Sequence, residues 1–152
     1  MKLIVFGATG SVGLQLVQQA LEKGHRVTAF TRNPAKIGLA APGLTVRKGD
    51  ILNAKDVEDA VAHHDAVLCA VGDGRQGTVR AAGTQNIVRA MQKNHVKRLV
   101  CQTTLGLGDS HGNLNFFWRR VMFGWFLKKA FQDHQLQEKH VTESGLDYTI
   151  VR

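Results

Sequence analysis

The sequence predicts a single α/β domain, spanning residues 1–152, built on a doubly wound parallel sheet. Three observations predict it. Short apolar runs alternate with amphipathic segments along all 152 residues, as strand–helix–strand crossovers require. The first apolar run, Leu3 to Phe6, passes directly into glycines spaced G-x-x-G-x-x-G at Gly7, Gly10 and Gly13. No linker, internal repeat or low-complexity tract breaks the pattern, and the length suits one domain with a sizeable core.

Each element follows in turn. Leu3–Phe6 is continuously apolar, the pattern of a strand covered on both faces. Beyond the glycines, Val12, Leu16, Val17, Ala20 and Leu21 recur at helical spacing. Gly24 suits the left-handed residue that closes such a helix, and His25–Phe30 reads as the second strand. Leu44–Lys48 is the third. Asn53, with Asp56 three residues on, forms a capping arrangement that opens the next helix. Ala66–Val71 is the fourth strand, and a helix over Gly77–Asn94 carries Val79, Gly83, Ile87, Ala90 and Met91 on one face. Lys97–Cys101 and Tyr148–Val151 complete the set. Right-handed crossovers then order the strands 3-2-1-4-5-6.

Ligands of such sheets sit outside the carboxyl ends of the strands. Those ends read Gly7–Gly13, Thr31-Arg-Asn33, Gly49-Asp-Ile51, Val71-Gly-Asp-Gly74 and Gln102-Thr-Thr104, all glycine-rich or polar. The glycine spacing permits a tight turn, close backbone approach to a diphosphate, and close packing of helix on strand. The helix then begins with free N–H groups and a positive dipole end. This predicts a dinucleotide site with Gly7, Thr9, Gly10, Ser11, Val12 and Gly13 at the diphosphate. Ala70, Val71, Gly72 and Thr103 join it from strands four and five. A glycine-rich turn without a ligand is the alternative reading of the motif. The end of strand two selects the cofactor. An NAD site places an acidic residue there for the ribose 2′-hydroxyl, whereas from Val27 to Ile51 the only carboxylate is Asp50. Arg32 is matched to a 2′-phosphate, with Lys36 nearby, unless it is an ordinary solvated arginine.

At these residues a family resemblance enters. Val5-Phe-Gly-Ala-Thr-Gly-Ser-Val-Gly13, with Thr31-Arg-Asn-Pro34, resembles the atypical short-chain dehydrogenases/reductases. Within them it is similar to the NAD(P)H-binding, NmrA-like branch that includes flavin reductase/biliverdin-IXβ reductase. Gly49–Asn53, Gly83–Met91, Val96–Val100 and Ser144–Arg152 fall in that family's order. The resemblance implies a Rossmann fold, an NADP(H) cofactor and hydride transfer to a small flavin- or quinone-like acceptor. A non-catalytic NADP(H) sensor of the NmrA-like kind is the alternative. It implies that Asp50 and Ile51 line an adenine pocket, although Asp50 also suits a strand terminator. Thr104 matches a serine near the nicotinamide, and His134, in Gln132-Asp-His-Gln135, matches a DH pair. These two are the candidate catalytic residues, although a lone helical histidine also serves surface or packing roles. The Ser–Tyr–Lys set of the wider superfamily is absent. The single tyrosine, Tyr148, stands in a strand pattern roughly 13 Å from Arg152, and Gln135 occupies the position four before Lys139. Relatives continue past Arg152, so the resemblance implies either a chain truncated at its C-terminus, with substrate-binding residues beyond Arg152, or a reduced family member.

The formal charge of +8 comes from scattered basic residues such as Lys2, Arg26, Arg47 and Lys48. That favours a positive field around an anionic ligand over a nucleic-acid arm. Cys69 and Cys101 lie inside apolar strand patterns, as buried free thiols of a reducing compartment do. His63-His64 reads as a helix end, and no His/Cys spacing suggests a metal. No signal-peptide pattern or membrane-length apolar run occurs, so a cytoplasmic protein is expected. The aromatic and basic stretch over 116–129 suits core packing, a substrate pocket or an oligomer contact. A membrane surface or nucleic acid is its other reading.

Overall fold

The computed structural model describes residues 1–72, 77–104 and 128–152. Its strands are β1 (Lys2–Phe6), β2 (Arg26–Thr31), β3 (Leu44–Lys48), β4 (Ala66–Cys69), β5 (Arg98–Gln102) and β6 (Asp147–Val151). They form one sheet in the order β3-β2-β1-β4-β5-β6, and every pairing is parallel. The helices are α1 (Ser11–Glu22), α2 (Ala54–Val61), α3 (Arg80–Lys93) and α4 (Lys128–Thr142). This is the doubly wound Rossmann architecture that the alternating pattern predicts.

Alternation along β1 distributes the core. Leu3 and Val5 face α1, where Val17 and Ala20 join them with Val27 and Ala29 of β2. Ile4 and Phe6 face the opposite side, packed with Val57 and Val61 of α2, Ile87 and Met91 of α3, and Val141 of α4. Burial on both faces is why the strand reads as an unbroken apolar run. β1 is hydrogen-bonded to β2 on one flank and to β4 on the other, with Phe6 opposite Phe30 and Cys69.

The turns follow their local chemistry. Gly24 has φ +77° and closes α1, with its N–H on Leu21 O. Asn53 accepts from the N–H groups of Lys55 and Asp56 and so caps α2. Several boundaries differ from expectation: β2 and β5 each run one residue later than His25–Phe30 and Lys97–Cys101, and β1 and β6 begin one residue earlier, at Lys2 and Asp147. β4 ends at Cys69, so Ala70 and Val71 leave the sheet. α3 starts at Arg80, with Gly77 at φ +63° outside it. Asp73, Gly74 and residues 116–127 of the aromatic stretch lie outside the described residues. No described helix is long and apolar enough to cross a membrane.

Candidate cofactor and active site

The carboxyl ends of β1, β2, β4 and β5 open onto a cavity of about 460 Å³. The β1–α1 turn forms one wall. Gly7, at φ +80°, lies against the carbonyl of Ala70, and a Cβ there would collide with it. A Cβ on Gly13 would collide with the carbonyl of Gly7. These two glycines therefore close the turn on the sheet and the helix on the turn. Gly10 differs: its nearest neighbour would be Gly7 O at 3.3 Å, and it faces the cavity with Thr9, Ser11 and Val12. Space that a side chain would fill is what backbone approach to a diphosphate requires. No side chain caps α1 and no acidic residue lies in its first turn, so its N-terminal N–H groups and dipole remain available to an anion.

The end of β2 forms the rim. Thr31 Oγ1 accepts from the N–H of Asn33 at 3.1 Å, and Asn33 Oδ1 accepts from Ala35 N–H at 3.2 Å. This braced bend leaves Arg32 exposed at the cavity edge beside Lys36. Arg32, Lys36 and Arg80 line the cavity, and no Asp or Glu does so among the described residues. The site is thus electropositive. Ile51 also lines it, seated against Gly83, where a Cβ would stand 2.8 Å from Ile51 Cδ1.

At the other end, β5 and α4 meet. Thr103 Oγ1 donates to Glu138 Oε1 at 2.6 Å. Arg152 holds the same carboxylate from both sides, with Nε on Oε1 and Nη2 on Oε2, each at 3.0 Å. Burial pushes the Glu138 carboxyl up, but the bonds from Arg152 and Thr103 outweigh it and leave it lowered. His134 lines the cavity from α4. Its ring Nδ1 lies 3.1 Å from Gln137 Oε1. Burial, and then the Arg80 charge, lower its proton affinity. Asp133 turns the other way: its Oδ2 and Oδ1 accept from the N–H groups of Arg80 and Ala81 at 3.0 and 2.9 Å. It thereby caps α3 from α4.

Of the residues expected from sequence, Gly7, Thr9, Gly10, Ser11, Val12, Arg32, Ile51, Ala70, Val71, Gly72, Thr103, Thr104 and His134 all line this cavity. Two do not. Gly13 is buried behind the turn. Asp50 is engaged locally, its Oδ1 accepting from Leu52 N–H at 3.0 Å while its own N–H donates to Asp56. Tyr148 is exposed on β6, away from the cavity. Sequence reasoning missed Arg80, which is 6% exposed, and Gln137. No local signal marks either, since both are buried by elements distant in the chain. No cluster of His, Cys, Asp or Glu among the described residues could hold a metal ion.

Comparisons with known proteins accord with this geometry. The NAD(P)H-binding family model matches residues 7–152. A 3-beta-hydroxysteroid dehydrogenase of Mycolicibacterium neoaurum is 37% identical over 113 residues, covering 65% of this chain and 31% of that protein. The chain thus spans about a third of that relative's length. Among solved structures, the anaerobillin reductase ChuY of Escherichia coli O157:H7 superposes with a TM-score of 0.82 at 26% identity, covering 100% of this chain and 72% of that one. A short-chain dehydrogenase/reductase of Veillonella parvula in complex with NADP gives a TM-score of 0.80 at 22% identity, over 99% and 68% of the two chains, a likeness of fold.

Proposed function

The chain belongs to the NAD(P)H-binding family, and from that premise we propose that it is an NADPH-dependent oxidoreductase acting on a small flavin- or quinone-like acceptor. The observation that carries the NADPH reading is the cavity lining: Arg32 and Lys36 stand at its rim and, among the described residues, no carboxylate lines it, while the third cation, Arg80, is paired with Asp133. Arg32 and Lys36 are the partners for a 2′-phosphate, and Gly10 with the α1 N-terminus for the diphosphate. When bound, the reduced nicotinamide supplies hydride.

The protein groups set which acceptors can use it. An isolated carbonyl needs a proton donor in step with hydride arrival. The cavity has no tyrosine among its described residues, and burial, then the Arg80 charge, lowers the proton affinity of His134. Acceptors that take hydride readily need mainly proximity, with water as the proton source. Thr104 contributes a hydroxyl that orients ligands. The solved relative named as an anaerobillin reductase supports an acceptor of this redox-active kind.

Steady-state NADPH oxidation with FMN, a benzoquinone and a simple ketone tests the proposal. Turnover with FMN or the quinone but not the ketone is expected. His134→Ala is expected to lower the rate by less than the roughly 100-fold of a true general acid. Efficient ketone reduction would overturn it. The same shortage of proton donors favours a second reading, a non-catalytic NADP(H) sensor, which tight NADPH binding without turnover of any acceptor would establish.

A further inference from the structure

Gln137 is 0% exposed, and a buried amide is costly unless each of its hydrogen-bonding atoms is matched. Here each is. Nε2 donates to Thr84 Oγ1 at 3.2 Å and to Cys101 Sγ at 3.4 Å, with Cys69 Sγ at 4.0 Å beyond. Oε1 faces His134 Nδ1. The amide cannot be reversed without loss. The NH₂ group carries two protons and finds acceptors for both among Thr84 and the thiols. Turned toward His134 it would meet one ring nitrogen only.

We propose that Gln137 is a positioning residue that fixes His134 as the Nδ1–H tautomer, so that Nε2 faces the cavity as a hydrogen-bond acceptor. Oε1 can only accept, so the ring nitrogen opposite it must carry the proton. His134 lines the cavity while its Nδ1 is turned inward, which gives the Nε2 edge to a ligand. Such a nitrogen selects partners that present an N–H or O–H, and it withdraws protons rather than supplying them. This selectivity deepens the oxidoreductase reading and rests on it; the tautomer does not. The charged groups acting on the ring are Arg80 from α3 and Asp133 and Glu138 from α4 itself.

The experiment is a two-bond ¹H–¹⁵N spectrum of the imidazole rings in the full chain, with and without NADP⁺, between pH 6 and 8. His134 is identified by the signal that His134→Asn removes. The wild type is expected to show a protonated Nδ1 and an unprotonated Nε2 above its titration. Gln137→Glu, whose carboxylate also only accepts, should keep that tautomer and move the titration to higher pH. Gln137→Leu should shift the ring toward the Nε2–H form; if that variant does not fold, the wild type and Gln137→Glu decide alone. An unprotonated Nδ1 in the wild type, or an unchanged tautomer in folded Gln137→Leu, would overturn the proposal. Because no turnover is measured, a protein that proves inactive with every acceptor can still show the tautomer. An active one can still lack it.

Discussion

The bend that presents Arg32 is held by the side chains of Thr31 and Asn33 and not by the arginine itself. Removal of the guanidinium should therefore be felt only by the ligand. Arg32→Ala is expected to weaken NADPH binding by about 10- to 150-fold, the worth of one charge-assisted contact of roughly 1.5–3 kcal/mol, and to leave NADH unaffected. Calorimetric titration of both cofactors measures this, and equal wild-type affinities would refute it. The glycines separate in the same way. Gly10→Val should melt cooperatively yet lose the stabilisation given by NADPH, because its open side is the cavity. Gly13→Ala should unfold at lower temperature even without cofactor, by about 1–3 kcal/mol, because its Cβ meets backbone. The sequence makes the G-x-x-G-x-x-G turn legible. Which glycine faces a ligand and which faces protein depends on where Ala70 and α1 lie, and spacing alone does not carry that. Arg80 shows the same limit. An arginine in a first helical turn reads as solvated until Asp133, 53 residues on, is folded beside it.

Helix α3 begins without a cap of its own. Val79 stands at the capping position with no side-chain oxygen to offer, and Asp133 of α4 supplies the acceptors across the gap between helices. Asp133→Ala is expected to cost about 1.5–3 kcal/mol, the range for bonds to a charged acceptor. Asp133→Asn should cost less, since its one remaining carbonyl oxygen still accepts. Urea denaturation of both variants checks the ranking, and equal stability of Asp133→Ala and wild type would remove this coupling. Helices α1 and α3 are readable from their apolar periodicity and α2 from its cap, whereas α4 enters the sequence reading only through the family resemblance around His134. Element ends are less legible where tertiary contacts decide. The apolar run of β4 continues to Val71, but the approach of Gly7 to Ala70 turns the chain out of the sheet two residues earlier. In α2 the opposite holds, since its cap, Asn53, is local and the helix starts where the sequence places it.

Across the whole molecule, stability should depend on pH through two half-buried histidines. Burial lowers the proton affinity of His64 and of His134 below the ordinary value of 6.5. The unfolded chain then binds more protons than the folded one at pH values between the two affinities, so acidification favours unfolding. Full stability is expected above about pH 6.5, falling as pH drops through the folded values. Glu138, lowered from 4.5, adds a further loss in the acid range. Urea midpoints at pH 7.5 and 5.5 measure the effect, and a higher midpoint at pH 5.5 would contradict it. The sheet order is legible at this scale because strand and helix signals alternate so regularly. The pairing of β1 on both flanks also bears on how the protein is made. Its partner β2 follows within one crossover, but Cys69 of β4, which lies opposite Phe6, is synthesised much later. At about 5–20 residues per second, several seconds separate the two. Until then Ile4 and Phe6, wholly covered at the end, have one flank open at the ribosome, and a chain stalled before β4 offers chaperones the future centre of the sheet.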